Sequence, residues 1–256
     1  MKWFGSLAAS NRSTVLAAVL LTVLLLLNSG CRTADPNGPR ALTATEASRL
    51  AEALYLNHLQ GRSLFEVNTV TERGGAMLHL RGTVDWSGKL GRALVSVEGT
   101  DHTLVEVAWS GDLVAERRPF FDSVLLSHGA LQPVFILRPA DPSLRIDNVI
   151  RVVKSLSSQD RENQLLLRRK EGTAYLRSDS LRDQTVDVIR YGQRTVYWIN
   201  QSSGALLRFE GTDSEGGLQI IVDFFGPYDD DANFPSRQNL VEISSVPELR
   251  DVIRSF

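Results

Sequence analysis

The chain has 256 residues, of which 43% are hydrophobic, and its 28 Lys and Arg residues are set against 30 Asp and Glu residues, for a formal net charge of −2. This balance excludes the strongly basic surface of a nucleic-acid-binding protein, and it does not indicate a basic patch for anionic lipid headgroups. The single cysteine excludes a disulfide within the chain, so the folded part is stabilised by its apolar core.

The N-terminus has the pattern of a secretory signal peptide. Lys2 and Arg12 precede residues 15–27, a 13-residue stretch that is apolar apart from Thr22. This stretch is shorter than the roughly 20 residues that a membrane-spanning helix needs. A basic start, a short apolar stretch and small residues after it predict a signal peptide over residues 1–30. Its removal takes away two basic and no acidic residues and leaves a net charge of −4.

The single cysteine follows the signal peptide directly. NSGC at residues 28–31 resembles the bacterial lipobox, in which small residues precede a cysteine that becomes lipidated, although Asn28 stands where that pattern prefers leucine. The resemblance implies that Cys31 carries a diacylglyceryl group and an amide-linked chain such as palmitate, which suffice to anchor the protein on the extracytoplasmic side of the cell membrane. The alternative is an uncut signal anchor with Cys31 as a free thiol. Lipidation is favoured because a free thiol in an oxidising compartment can form an unintended disulfide with another chain.

A short tether and a helix follow the cysteine. Residues 31–42 are predicted to form a lipidated N-terminus and flexible tether, because they are small, polar and rich in Pro and Gly. The folded part is expected to be a single domain over residues 43–256. It opens with a predicted helix over residues 44–60, since Thr43 and Glu46 have the spacing of a capping box.

The hydrophobic period then changes from 3.6 to 2, which predicts strands. A first antiparallel meander is expected within residues 78–115 and a second within residues 164–224, beginning with the strand QLLLRRK at residues 164–170. Between them, Asp147 is the expected N-cap of a second helix over residues 147–157. About ten strands in two runs, each run preceded by an amphipathic helix, predict an α+β fold. In it, helices pack on the concave face of one curved antiparallel half-barrel sheet.

Two segments of the second run carry a family resemblance. TVYWINQSSGALLRFEG at residues 195–211 and IIVDFFGPYDDDANFPS at residues 220–236 resemble segments of the LolA/LppX-like lipoproteins, which include the LppX/LprG group. The likeness extends, in the order of elements, over most of residues 43–240 and is least at residues 119–145. It implies a half-barrel that encloses an apolar cavity, in which the acyl chains of a lipid or glycolipid are held.

The sequence offers no recognisable arrangement for catalysis, a metal or a cofactor. The four histidines lie far apart, and no close pair of zinc ligands and no nucleophile elbow occurs. Residues 229–231, three aspartates, are interpreted as a solvated acidic loop rather than a calcium site, because consecutive residues of an extended chain point to alternating sides. We therefore expect a protein that is not an enzyme, and a hydrolase is the least supported class.

The apolar faces of two predicted strands and of the second helix are the expected lining of a ligand site. The two strand faces carry no charge and are expected to point toward the helices. The candidate lining residues are Leu78, Leu80, Val84, Trp86, Ile150, Val153, Ile220, Val222 and Phe224. They border either a cavity for acyl chains or a solid core, and burial alone does not separate these alternatives.

Two functions are compatible with the sequence. The first is a membrane-anchored carrier of a lipid or lipidated molecule in the cell envelope, since exposing an acyl chain to water costs roughly 0.8 kcal/mol per CH₂. The second is an envelope interaction module of the same fold, which has a filled core and binds a partner protein through an exposed surface patch.

Replacing Cys31 by alanine tests the anchor. The Cys31→Ala chain is expected in the soluble fraction, or as an unprocessed precursor, because no acyl chain can be attached to alanine. Membrane fractionation with immunoblotting of the precursor and mature forms measures both outcomes. A variant that is processed and membrane-bound like the wild type would show that lipidation at Cys31 is not the anchor.

Overall fold

The computed structural model describes residues 38–71, 77–97, 103–126, 129, 131–212, 218–228, 233–250 and 253. The chain divides into two units, Met1–Gly38 and Pro39–Phe256, and the helices and strands of the described residues all belong to the second. The predicted signal peptide and Cys31 lie outside the described residues. Among the described residues, no helix combines the length and the apolar character needed to cross a bilayer.

Four α-helices and twelve strands make up the described part of the chain. The helices are α1 (Ala44–Gln60), α2 (Asp122–Leu126), α3 (Arg145–Ser155) and α4 (Gln164–Arg169). The strands are β1 (Arg62–Thr71), β2 (Leu78–Asp85), β3 (Leu90–Val97), β4 (Thr103–Ser110), β5 (Leu113–Arg117), β6 (Phe135–Pro139), β7 (Ala174–Leu181), β8 (Gln184–Tyr191), β9 (Thr195–Asn200), β10 (Leu206–Thr212), β11 (Leu218–Phe224) and β12 (Leu240–Glu242).

All twelve strands belong to one sheet, in the order β12-β6-β5-β4-β3-β2-β1-β11-β10-β9-β8-β7. Every neighbouring pair is antiparallel except β12 and β6 at one edge. The two meanders meet where β1 pairs with β11, with Val67 opposite Val222. The predicted α+β class with one half-barrel sheet and helices is confirmed.

One face of the sheet is apolar across eight neighbouring strands. The register places one buried residue of each strand in a single row. The row runs from β4 to β8 as Val105, Val95, Leu80, Val67, Val222, Phe209, Tyr197 and Ile189. The opposite face carries ion pairs, such as Arg208 Nε with Asp223 Oδ1 at 2.9 Å. This division between faces follows from the period of two along each strand.

The two long helices cover this apolar face together. Leu50 and Ala51 of α1, and Val149, Ile150 and Val153 of α3, are buried in the same core cluster as the row of strand residues. The capping box of α1 is present, with the Glu46 N–H donating to Thr43 Oγ1 at 3.3 Å and the Thr43 N–H donating to Glu46 Oε2 at 2.8 Å. Both helices therefore pack on one side of one sheet, as their amphipathic patterns predict.

Two local predictions were wrong. The segment predicted as a strand, residues 164–170, instead forms α4 (Gln164–Arg169) followed by its C-cap Lys170. Asn163 Oδ1 begins the helix by accepting hydrogen bonds from the backbone N–H groups of Leu165 and Leu166. Asp147 is not an N-cap, since α3 begins at Arg145, and its carboxylate instead binds other groups of the core.

Strand β1 is present although the sequence pattern did not indicate it. Two of its inward positions, Ser63 and Thr69, are polar and interrupt the apolar alternation. Each hydroxyl has a buried partner, because Ser63 Oγ accepts from Trp86 Nε1 at 3.2 Å and Thr69 Oγ1 accepts from the Leu78 N–H at 3.0 Å. The polar residues are thus compatible with the core, but only contacts made across the sheet reveal this.

Candidate functional site

The nine candidate lining residues lie together in one core cluster beneath α1 and α3. Each of them is buried, with side chains that are at most 9% exposed. Val84 and Trp86 also border a cleft at the edge of this cluster. The sequence thus identified residues that share one place in the fold, and their role in binding a ligand stays a prediction.

Side chains of the sheet occupy the space beneath the helices in this form of the protein. The ring of Trp109 lies against Gly91 so closely that a Cβ there would be 1.9 Å from its Cζ2 atom. Trp86 and Phe224 have ring centroids 5.7 Å apart, and Tyr197 and Phe209 have centroids 5.4 Å apart. The core is therefore packed by aromatic residues, and an acyl chain would have to displace some of these contacts to enter.

Each long helix is fixed near its N-terminal end by an ion pair with the sheet. In α1, Arg49 Nε donates to Asp187 Oδ2 on β8 at 2.8 Å, and the Asp187 side chain is 2% exposed. In α3, Asp147 accepts from Arg138 on β6 at 2.5 and 2.9 Å. Removing one member of such a pair leaves a buried charge without compensation, so these ends are held firmly in place.

The Arg138 site also contains a second carboxylate. Arg138 Nη2 donates to Glu116 Oε2 on β5 at 2.8 Å, and all three charged residues are buried. Burial opposes the charge of Arg138, but its hydrogen bonds to Asp147 and the charge of Glu116 outweigh burial, so the pKa of Arg138 is raised above its ordinary value. No sequence pattern pointed to this network, because its members are distant in the chain and ordinary in composition.

Polar contacts join α1 to the segment that directly follows α3. Asn57 Nδ2 donates to the Leu156 carbonyl at 2.7 Å, and both groups are buried. The Ser158 N–H donates to the Leu54 carbonyl and the Glu162 N–H donates to the Ala51 carbonyl, each at 3.1 Å. We call these three hydrogen bonds the lid seam, because they join α1 to residues 156–162, the segment that follows α3.

A cleft of about 230 Å³ lies where the C-terminal ends of α1 and α3 approach the β2–β3 turn. We call it the lid cleft, and its lining residues are His58, Val84, Asp85, Trp86, Lys89, Lys154, Ser157 and Gln159. Val84 and Trp86 supply apolar surface, and the other residues supply a polar rim with two lysines. An amphiphile is suited to such a place, with its headgroup at the rim and its chain toward the core.

The rim of the lid cleft contains one carboxylate with a shifted pKa, Asp85. Burial raises the pKa of Asp85, but hydrogen bonds from the following turn and from Arg62 outweigh burial, so the pKa of Asp85 is lowered below its ordinary value. Lys154 Nζ donates to the Gly111 carbonyl and lies 3.7 Å from Asp112 Oδ1. The Asp85 carboxylate therefore stays charged near neutral pH beside the lysines of the rim.

Other residues of chemical interest are dispersed. His58 lines the lid cleft and His79 lies on β2, whereas His102, His128 and residues 229–231 lie outside the described residues. In the described ranges, no group of three or more His, Cys, Asp or Glu side chains is arranged to hold a metal ion.

Comparison with known proteins finds likeness at the level of structure. No protein-family model matches the chain, and no curated protein matches its sequence. The lipoprotein LppX of Mycobacterium tuberculosis is 10% identical, with 73% of this chain and 97% of LppX covered and a TM-score of 0.45. A LolA superfamily protein from Nitrosomonas europaea is 13% identical, with 75% and 96% of the chains covered and a TM-score of 0.31.

A third match comes from the Pseudomonas aeruginosa MucA/MucB complex, with 15% identity, 75% of this chain and 61% of the other covered, and a TM-score of 0.34. These three structures are similar to this chain at 10–15% identity.

Replacing Asn57 by alanine tests the lid seam. The Asn57→Ala variant is expected to lose about 1–3 kcal/mol of unfolding free energy, because the buried Leu156 carbonyl loses its partner. Urea denaturation measures the loss, with Ser155→Ala as the matched control because its hydroxyl bonds the Val152 carbonyl at an exposed position. If both variants are equally stable, the seam contributes nothing to closure.

Proposed function

We propose that this protein is a lipid-anchored carrier on the extracytoplasmic side of the cell membrane. After removal of residues 1–30, Cys31 is the acylated first residue, residues 31–42 form the tether, and residues 43–256 form one domain. The domain binds an acyl chain of a lipid, a glycolipid or a lipidated molecule on the apolar face of its sheet. It binds its ligand without covalent chemistry and is not an enzyme.

The observation that carries the proposal is the apolar face beneath two helices that border one cleft. The ion pairs of Arg49 and Asp147 lie in the N-terminal halves of the helices, and the C-terminal ends border the lid cleft. We infer that the lid opens at the lid cleft, where Val84 and Trp86 give an acyl chain its first apolar contact.

The size of the lid cleft requires that the helices move. Its volume of about 230 Å³ is below the roughly 300–1,000 Å³ of small-molecule sites. Burying an acyl chain contributes about 0.8 kcal/mol per CH₂. Burying ten methylenes therefore offsets a free-energy cost of lid opening of about 8 kcal/mol. The side of α1 that faces the sheet is rich in alanine, with Ala47, Ala51 and Ala53 buried, and small side chains lose little apolar contact when the helix moves.

Ligand binding is tested with a fluorescent acyl probe, cis-parinaric acid, added to the detergent-solubilised full chain. A Ser157→Trp substitution, at a half-buried residue of the cleft, is expected to weaken binding at least tenfold because it fills the mouth of the lid cleft. Leu94→Trp is the matched control, since Leu94 is 50% exposed on the opposite face of the sheet. A Lys154→Glu variant, which leaves the core intact, is expected to weaken binding of the anionic probe as well.

Native mass spectrometry of the chain purified from its own membrane gives the second measurement, and a co-purified lipid is expected. The proposal is contradicted if no lipid co-purifies and the probe binds the wild type and the Ser157→Trp variant equally.

A protein-binding role is the second candidate, and one observation favours it. Phe120 and Leu131 are 59% and 55% exposed, and Val124 and Leu126 are each 38% exposed, on one short stretch of chain. Exposed apolar side chains close together are typical of interaction surfaces. Chemical crosslinking in the cell envelope tests this role. It replaces the first role if the protein carries no lipid and if a specific crosslink is lost in the Phe120→Asp variant but kept in the Leu94→Asp variant.

A further inference from the structure

The short helix α4 presents two adjacent leucines to solvent. Leu165 is 59% exposed and Leu166 is 66% exposed, whereas the next residue, Leu167, is 3% exposed. Leu167 therefore attaches the helix to the core, and Leu165 and Leu166 project from it. No requirement of the fold explains this pair, because a polar residue at either position would leave the core unchanged.

Three basic residues follow the leucines directly. Arg168, Arg169 and Lys170 are all exposed. Within the described part of the chain, Arg168 and Arg169 form no ion pair, and Lys170 Nζ lies 3.5 Å above the centre of the Tyr191 ring. Glu171 is the nearest acidic residue in the sequence, and it does not cancel three positive charges. Apolar side chains beside unpaired basic ones are suited to a membrane surface, which offers acyl chains below anionic headgroups.

The tether enters the domain beside this helix. The Arg40 N–H donates to the Tyr175 carbonyl at 2.9 Å, and Tyr175 is only five residues beyond Lys170. The Arg40 guanidinium also binds the Glu46 carboxylate at 2.6 and 2.9 Å and lies 3.9 Å above the Tyr175 ring. Arg40 is thus fixed at the start of β7, close to the end of α4.

The length of the tether limits how far this point lies from the membrane. Arg40 is nine positions beyond Cys31, and a fully extended chain over that distance spans at most about 32 Å. An acylated Cys31 would hold the Arg40 end of the domain within that distance of the bilayer. The elements around Arg40, including α4, are then those best placed to touch the membrane.

We propose that residues 165–170 form a docking surface for the anionic leaflet of the membrane that holds the anchor. This inference rests on the membrane anchoring in the proposed function and is independent of any lipid bound under the lid. Leu165 and Leu166 enter the interfacial region, and Arg168, Arg169 and Lys170 bind lipid phosphates. The contact orients the domain, which the flexible tether alone leaves free to rotate.

The test places an environment-sensitive NBD probe at Leu166→Cys in the full chain, reconstituted into vesicles that contain a doxyl-labelled quencher lipid. Leu94→Cys is the matched control at an exposed leucine of the opposite sheet face. The chain without an added cysteine, labelled in parallel, gives the background from Cys31. Vesicles of phosphatidylcholine alone are compared with vesicles that contain 30% phosphatidylglycerol.

In phosphatidylglycerol vesicles, quenching at position 166 is expected to be at least threefold stronger than at position 94. This difference should fall in phosphatidylcholine vesicles, and also when Arg168→Gln and Arg169→Gln are combined with the probe. Equal quenching at both positions in a chain that floats with the vesicles overturns the docking surface and leaves the anchor intact. Equal quenching at position 166 in both kinds of vesicle overturns the role of anionic headgroups.

Two further outcomes overturn the proposal in other ways. A chain that does not float with either kind of vesicle contradicts both the anchor and the docking surface. A probe signal at position 166 that rises with protein density, and is insensitive to the quencher lipid, identifies contact between two copies of the chain instead.

Discussion

The pairing of β1 with β11 is the constraint on which the rest of the structure depends. It joins two meanders, each with its own helix, into one sheet with one apolar face. Because Val67 and Val222 face each other at the junction, the row of buried side chains continues from β4 to β8 without interruption. The two long helices must then share a single surface, and their C-terminal ends come together over it.

Charge sets the positions of the helices, and apolar contact supplies most of their stabilisation. The ion pairs of Arg49 with Asp187 and of Arg138 with Asp147 fix the N-terminal parts of α1 and α3 near opposite edges of the sheet, on the same face. Buried ion pairs contribute little net stability but penalise alternative arrangements strongly. The lid seam joins α1 to the segment that follows α3, and its hydrogen bonds break at a modest cost. The sheet can therefore keep its structure while the two helices that cover it move.

Much of the fold was predictable because it depends on local periodicity. The alternation around Leu80 and Val222, and the capping box of α1, are visible in a few consecutive residues. The missed elements depend on distant contacts: β1 needs Trp86 to satisfy Ser63, and the Arg49–Asp187 pair joins residues 138 positions apart. Asn163 is a local signal for the start of α4, but the apolar residues that follow it led to the prediction of a strand.

The candidate site was predictable only in part. The sequence places the same residues inside for a cavity and for a solid core, so only the packing of Trp109 against Gly91 and similar contacts distinguishes them. Net charge also conceals local clusters, because Arg168, Arg169 and Lys170 are balanced by acidic residues elsewhere in the chain. The overall balance offered no reason to expect a basic surface, and the exposed end of α4 provides one.

Hydrogen–deuterium exchange of the backbone, with and without an acyl ligand, tests the central claim of a lid that opens at one end. Such a lid predicts that amides in the C-terminal halves of α1 and α3 exchange faster than those of β1 and β11, and that the ligand changes exchange in these helical halves alone. Helices that exchange as slowly as β1 and β11, and that do not respond when a lipid is bound, would contradict it.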